Sequence, residues 1–188
     1  MDNNRNLYDF DGVIYNGNCS FDFFTFCLKY YPGILKYIPK YVLDYLLIKT
    51  NRFNYEKDSF DFCKFICDVK DLELLILKFW KLNILRINKW YLEQHKKSDL
   101  IISGSPDFLL KYICDYLGVE NISTVVDINN GYVTDFCYRD NKIMLLNDRY
   151  PNEIFDSFYT DNLSDDKSLF AKVKNVYYVK SNCRFKIK

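Results

Sequence analysis

The chain has 188 residues and a formal net charge of +1, with acids and bases spread along its whole length. That length is one domain, or one domain carrying a modest insert, and it buries a core without disulfides or a structural metal. No basic face forms to neutralise a nucleic-acid backbone, which excludes a nucleic-acid partner. Seven cysteines, at positions 19, 27, 63, 67, 114, 137 and 183, make an odd count with no CxxC pair and no nearby His to complete a zinc set. No secretion signal is read at the N-terminus, so free thiols in a reducing cytoplasm are the expectation. The most apolar stretch, residues 30–49, is interrupted by Lys36, Lys40 and Asp44. It falls short of the roughly 18 to 20 apolar residues a membrane span needs, although an amphipathic surface there could touch lipid.

In chain order, the first element is a short buried strand over residues 6–10, running into a loop at Asp11 and Gly12. From Ser20 to Lys97 every segment reads as helix. Phe21, Phe24, Cys27 and Leu28 recur at helical spacing behind Ser20 as N-cap. Pro32-Gly33 breaks that helix, and a second apolar one follows to Ile48. A third is expected over residues 55–67. A long fourth runs from Asp71 through Leu75, Phe79, Leu82 and Leu85 towards Tyr91. The texture changes at Asp99, where Leu100-Ile101-Ile102 reads as a buried strand and Ser-Gly-Ser-Pro as a turn opening a helix to Leu117.

Residues 124–127 and 132–136 flank Asn129-Asn130-Gly131 as a hairpin. Helix 141–148, strand 154–160, helix 165–172 and strand 176–179 follow, and the basic tail VKSNCRFKIK reads as a solvated end. Strand–helix alternation around an all-helical insert predicts an α/β fold: a Rossmann-like, mostly parallel sheet with an inserted helical cap. The core is expected over 1–18 and 98–188, and the cap over 19–97.

Ligands of such sheets bind beyond the carboxyl ends of the strands. Three of those ends carry residues suited to chemistry: Asp9 and Asp11, then Ser103, then Asp161 and Asp165. DxDG alone also occurs in surface turns. Here it has an apolar approach (Leu7, Tyr8) and an apolar exit (Val13, Ile14).

Asp9-Phe10-Asp11-Gly12-Val13 resembles the first motif of the haloacid dehalogenase superfamily, and Ile102-Ser103-Gly104-Ser105-Pro106 resembles its second. Lys142 fits the third, and the segment from Tyr159 through Thr160, Asp161, Asn162, Leu163 and Ser164 to Asp165 resembles the fourth. Order and spacing agree over nearly the whole chain, and the insert is similar to the cap of the phosphoserine-phosphatase-like subgroup. The resemblance implies a magnesium-dependent phosphatase. Asp9 would be the nucleophile that forms an aspartyl-phosphate, and Asp11 the acid/base. Ser103 would bind a phosphoryl oxygen, helped by the N–H groups of Gly104 and Ser105 at a helix N-terminus. Lys142 would neutralise phosphoryl charge, with Arg139 a neighbour that could compete for the role. Asp9, Asp161 and the Asp11 carbonyl would bind Mg2+, with Asp165 a further ligand or the holder of a bound water. Asp166 adjoins Asp165, and the DxxxD spacing of the subgroup favours Asp165.

Val13 stands where threonine is common. Thr160-Asp161-Asn162 replaces the common Gly-Asp-Gly, which loosens any inference to phosphoserine itself. His95, the one histidine, reads as a solvated helix residue. Tyr15 and Asn16 are candidates for the side facing the cap. The expected activity is hydrolysis of a small phosphorylated metabolite. The alternatives are a lipid or cell-envelope phosphate at a membrane surface, a phosphotransferase, and a catalytically silent binder of a phosphorylated ligand.

Overall fold

A computed structural model describes residues 5–50, 52 and 61–188. Seven strands form a single sheet: β1 (Leu7–Tyr8), β2 (Leu100–Pro106), β3 (Glu120–Asp127), β4 (Tyr132–Asp135), β5 (Phe155–Thr160), β6 (Val173–Lys180) and β7 (Cys183–Lys186), in the order β4-β3-β2-β1-β5-β6-β7. The five central strands are parallel, and β4 and β7 close the two edges antiparallel. This is the expected α/β architecture. β1 is short but central, with Leu7 level with Leu100 on one side and Phe158 on the other. Its burial on both faces explains why the sequence there is a continuous apolar run. Tyr8, Tyr159 and Tyr177 are in register across β1, β5 and β6. Their rings stack at 4.7 and 4.9 Å, the natural spacing between strands.

The helices are α1 (Cys19–Leu28), α2 (Ile38–Lys49), α3 (Leu72–Asn83), α4 (Lys89–Gln94), α5 (Asp107–Leu117) and α6 (Asp140–Arg149). The first four lie in the insert between β1 and β2. One hydrophobic core joins insert and sheet: Phe23, Phe79 and Trp80 pack with Phe10, Leu109 and Ile113. Trp80 anchors this junction by donating its ring N–H to the Leu109 carbonyl at 2.8 Å.

Several expected elements differ. The N-cap of α1 is Asn18, whose side chain accepts the Phe21 N–H at 2.9 Å; Ser20 lies inside the helix. The helix expected over 55–67 falls largely outside the described residues, and Lys64–Asp68 is a 3-10 turn. The long helix towards Tyr91 is broken between α3 and α4. There the Asn88 N–H donates to the Ile14 carbonyl at 2.8 Å and its side-chain amide to the Val13 carbonyl at 2.6 Å. The Asn16 N–H donates to the Arg86 carbonyl at 2.9 Å. The two chain segments that enter and leave the insert are thus tied together, and that pairing overrides the helical periodicity. Tyr15 and Asn16 serve this junction rather than a cleft: the Tyr15 ring is fully buried, with its hydroxyl on Asp22 at 3.0 Å.

Strand β2 does not end at Ile102. It continues extended to Pro106 through a register slip between Ser103 and Pro106, and α5 begins only at Asp107. Residues 167–172 form a 3-10 helix rather than an α-helix from 165. The basic tail is a strand: Ser181 and Asn182 adopt φ of 49° and 65°, a tight turn that folds β7 back on β6. Among the described residues no helix is long and apolar enough to cross a membrane.

Candidate active site

Asp9 and Asp11 leave the carboxyl end of β1. Ser103 comes from the irregular end of β2, Asp161 follows β5, and Lys142 lies one turn into α6. The sheet brings these residues around one cleft of about 300 Å3, also lined by Asn18, Ser20, Gly104, Ser105, Asn162, Asp165 and Asp166. Five carboxylates and a single lysine line it.

Asp9 is buried, and its backbone is fixed by donation from its N–H to the Tyr159 carbonyl at 2.9 Å. Lys142 Nζ stands 3.5 Å from Asp9 Oδ2. Burial pushes the Asp9 carboxyl well above the usual carboxylate range; Lys142 opposes this, while Asp166, Asp161 and Asp11 add to it. Burial works against the Lys142 ammonium, yet Asp9 and Asp166 outweigh it and hold the group above an ordinary lysine. Arg139 is paired with Asp165, and the cation beside Asp9 is Lys142.

The carboxylate of Asp11 is held from two sides. Its Oδ1 accepts the Cys19 N–H at the start of α1 at 2.7 Å, and its Oδ2 accepts the Ser105 hydroxyl at 2.5 Å. Ser105 Oγ also lies 2.7 Å from Ser20 Oγ. Burial raises the Asp11 carboxyl, and the Cys19 and Ser105 bonds pull against it. Ser105 therefore orients Asp11 through its side chain. Its N–H does not face the cleft as an anion donor, because it donates to Ser103 Oγ at 3.1 Å. Nor are Gly104 and Ser105 at a helix N-terminus, since α5 starts two residues later. The Gly104 carbonyl accepts the Thr124 hydroxyl at 2.7 Å, and that hydroxyl accepts the Cys137 N–H at 3.2 Å. Thr124 thereby pins the slipped end of β2 to the segment leading into α6.

Adjacent acids divide their work differently from the expectation. Asp165 bonds to Tyr138 Oη at 2.8 Å, Arg139 Nε at 3.1 Å and Asn162 Nδ2 at 2.9 Å. The carboxylate at Lys142 is that of Asp166, 2.7 Å from Nζ, with its other oxygen accepting the Thr160 hydroxyl at 2.6 Å. Asp166 is 1% exposed. Lys142, Asp166 and Thr160 form a buried brace behind Asp9, and nothing in the local sequence distinguishes Asp166 from Asp165 for that place. Thr160, a departure from the common glycine, supplies the hydroxyl of that brace.

Asp161 lies against Gly12: a Cβ built on Gly12 would meet Asp161 Oδ2 at 2.0 Å, and Gly12 has a φ of +73°. The glycine of DFDG is required both for the turn and for this approach. The Asp161 carboxyl is pushed up to about 6, by desolvation first and then by Asp166 and Asp11. His95 is remote, its ring stacked 5.0 Å from that of Tyr91 at the end of α4.

Among the described residues, no three His, Cys, Asp or Glu side chains form a group that could hold a metal ion. The carboxylates of Asp11 and Asp165, the latter expected as a further ligand or the holder of a bound water, are engaged with protein donors. The donors that could hold a cation are the Asp9 and Asp161 carboxylates with the Asp11 main-chain carbonyl. That all-oxygen set suits a hard ion that keeps part of its hydration. Three raised carboxylates facing one another around a single lysine are a charge imbalance that such an ion would relieve.

No family model matches the sequence, and no curated protein matches it. Solved structures do. A protein of unknown function from Bordetella pertussis Tohama I superposes with a TM-score of 0.67 at 14% identity, over 89% of this chain and 86% of that one. A phosphoserine phosphohydrolase-like protein from Francisella tularensis gives 0.54 at 14% identity, over 92% and 85%. A substrate-bound phosphoserine phosphatase gives 0.53 at 16%, over 94% and 85%. The chain has the phosphoserine phosphatase fold, in agreement with the resemblance read from the motifs.

Proposed function

We propose that the protein is a magnesium-dependent phosphomonoester hydrolase working through an aspartyl-phosphate on Asp9. The observation that carries this reading is the convergence of Asp9, Asp11, Ser103, Lys142 and Asp161 around one cleft, with Asp9 and Lys142 3.5 Å apart. Asp9 Oδ attacks phosphorus in line; the bond from phosphorus to the ester oxygen breaks, and Asp11 gives its proton to the departing oxygen. Water then attacks the acyl phosphate, Asp11 takes one of its protons, and inorganic phosphate leaves with Asp9 regenerated. Ser103 fits the role of donor to a phosphoryl oxygen, because its Oγ accepts from Ser105 and its own O–H is still free to donate into the cleft it lines. Lys142 neutralises charge on the transferred group while Asp166 holds it in place. Magnesium on Asp9, Asp161 and the Asp11 carbonyl would supply Lewis-acid stabilisation of the phosphoryl oxygens.

The substrate class is a small phosphorylated molecule, and the seven unpaired cysteines suit a reducing cytoplasm. Release of p-nitrophenol from its phosphate ester tests the chemistry. It is expected with Mg2+, and it should be lost with chelator and in Asp9→Asn. Turnover that survives either change overturns the mechanism.

A further inference from the structure

Beside the acidic cleft lies a second and larger cavity, about 670 Å3, between α1, α2 and the β2–β4 side of the sheet. Phe24, Ile38, Val42, Phe108 and Val133 are among its walls. None of the described lining residues carries a charge. Most of its polar side chains are engaged: the Tyr41 hydroxyl accepts the Phe65 N–H, the Thr124 hydroxyl donates to the Gly104 carbonyl, and the Ser20 and Tyr138 hydroxyls are bonded to Ser105 and Asp165. The two cavities meet at a common lip, because Asn18, Ser20, Gly104, Phe136 and Tyr138 line both.

We infer that the substrate is a phosphomonoester of a long apolar alcohol, with its phosphate at Asp9 and its hydrocarbon body in this cavity. The inference rests on the hydrolase reading and names its substrate class. A polar metabolite such as an amino-acid phosphate would place charged groups against walls with no charged partner for them, which is strongly unfavourable. An apolar body meets the opposite balance, since each methylene taken from water into such walls gains up to about 0.8 kcal/mol. The volume is that of a complete ligand pocket rather than a packing defect. Hydrocarbon of this kind could reach the site from a bilayer or as a free amphiphile. Val42 and Tyr45 of α2, at the rim, are 53% and 59% exposed, so the cavity opens outward beside the cleft.

The test is chain length. Phosphate release is measured with Mg2+ for butyl, hexyl, octyl and decyl phosphate below their micelle concentrations. A two- to fourfold rise in kcat/KM per methylene is expected, about fiftyfold or more from butyl to decyl. Val133→Trp, which fills the cavity, should flatten the series, so that decyl phosphate loses its advantage over butyl phosphate. Val42→Trp at the rim does the same if the first variant fails to fold. Equal kcat/KM along the series in an active enzyme overturns the inference and leaves the hydrolase reading standing.

If nothing is hydrolysed, that reading fails, and the cavity is tested by calorimetry with butyl and decyl phosphonate. Tighter decyl binding that Val133→Trp or Val42→Trp abolishes supports the pocket, and equal binding rejects it. The source is read by presenting phosphatidic acid in phosphatidylcholine vesicles. Turnover there identifies a bilayer lipid, and turnover confined to monomeric alkyl phosphates identifies a free amphiphile.

Discussion

The acidic cleft and the apolar cavity share five lip residues and almost nothing else. The cleft is made by strand ends, and its side chains are held in pairs and triads: Asp11 by Cys19 and Ser105, Lys142 between Asp9 and Asp166, Thr160 behind Asp166. The cavity is walled largely by helices of the insert, and its side chains are held mostly by packing. Electrostatic groups must be pre-organised to act on a developing charge, which a parallel sheet does well. Hydrophobic contact is non-directional and tolerates looser, variable walls. On the proposed reading, chemistry falls to the sheet and selectivity to the insert.

Variants that act on one side only will break or sharpen that division. The largest effect expected is from Asp9→Asn, which should lower phosphate release by at least about 10³-fold. Decyl phosphonate binding should persist, because the hydrocarbon contacts are untouched; calorimetry on the purified variant checks this.

Next, Lys142→Met leaves Asp166 and Asp9 buried without their cation. Breaking a buried pair in this way destabilises by about 3–5 kcal/mol, read by chemical denaturation. Adding Asp166→Asn should recover most of that stability and none of the activity, a separation that a purely structural lysine would not produce.

A smaller effect is expected from Gly12→Ala. The positive φ costs about 1 kcal/mol, and the new Cβ displaces the Asp161 carboxylate. Magnesium at about 100 times its Kd should stabilise the wild type by about 2.7 kcal/mol, and this gain should vanish in the variant. Thermal melts with and without Mg2+ measure it.

The mildest is Ser105→Ala. It removes one hydrogen bond to a charged group, worth about 1.5 kcal/mol, so kcat should fall roughly tenfold. KM should hold steady, because Asp11 acts on the leaving oxygen rather than in binding. A rise in KM instead would place Ser105 among the binding groups.

Much of the cleft was legible in the sequence because strand ends announce themselves. An apolar run followed by Asp or Ser marks the carboxyl edge of a parallel sheet, and Asp9, Ser103 and Asp161 were found that way. The Asp165/Asp166 distinction was not legible, since neighbouring residues leave a turn in different directions and only the fold decides which meets Lys142. The break at Asn88 was hidden for a similar reason: Ile87 and Tyr91 continue a helical period, and the partners that interrupt it lie some 75 residues earlier at Val13. Strand β7 was missed because its residues are few and exposed, and its turn uses Ser181 and Asn182 rather than a glycine. The cavity left no trace at all. Phe24, Ile38 and Val42 have the spacing of residues that fill a core, and periodicity cannot tell a filled interior from a lined hollow.

The contact between Gly12 and Asp161 has a consequence for descent. A side chain at position 12 and the Asp161 carboxylate, 149 residues apart in sequence, would claim one volume, so position 12 is not free to drift alone. A side chain at 12 is admissible only where residue 161 has withdrawn, and withdrawal gives up a donor of the cleft. Among relatives of this chain, a residue other than glycine at position 12 should occur only where position 161 has also changed.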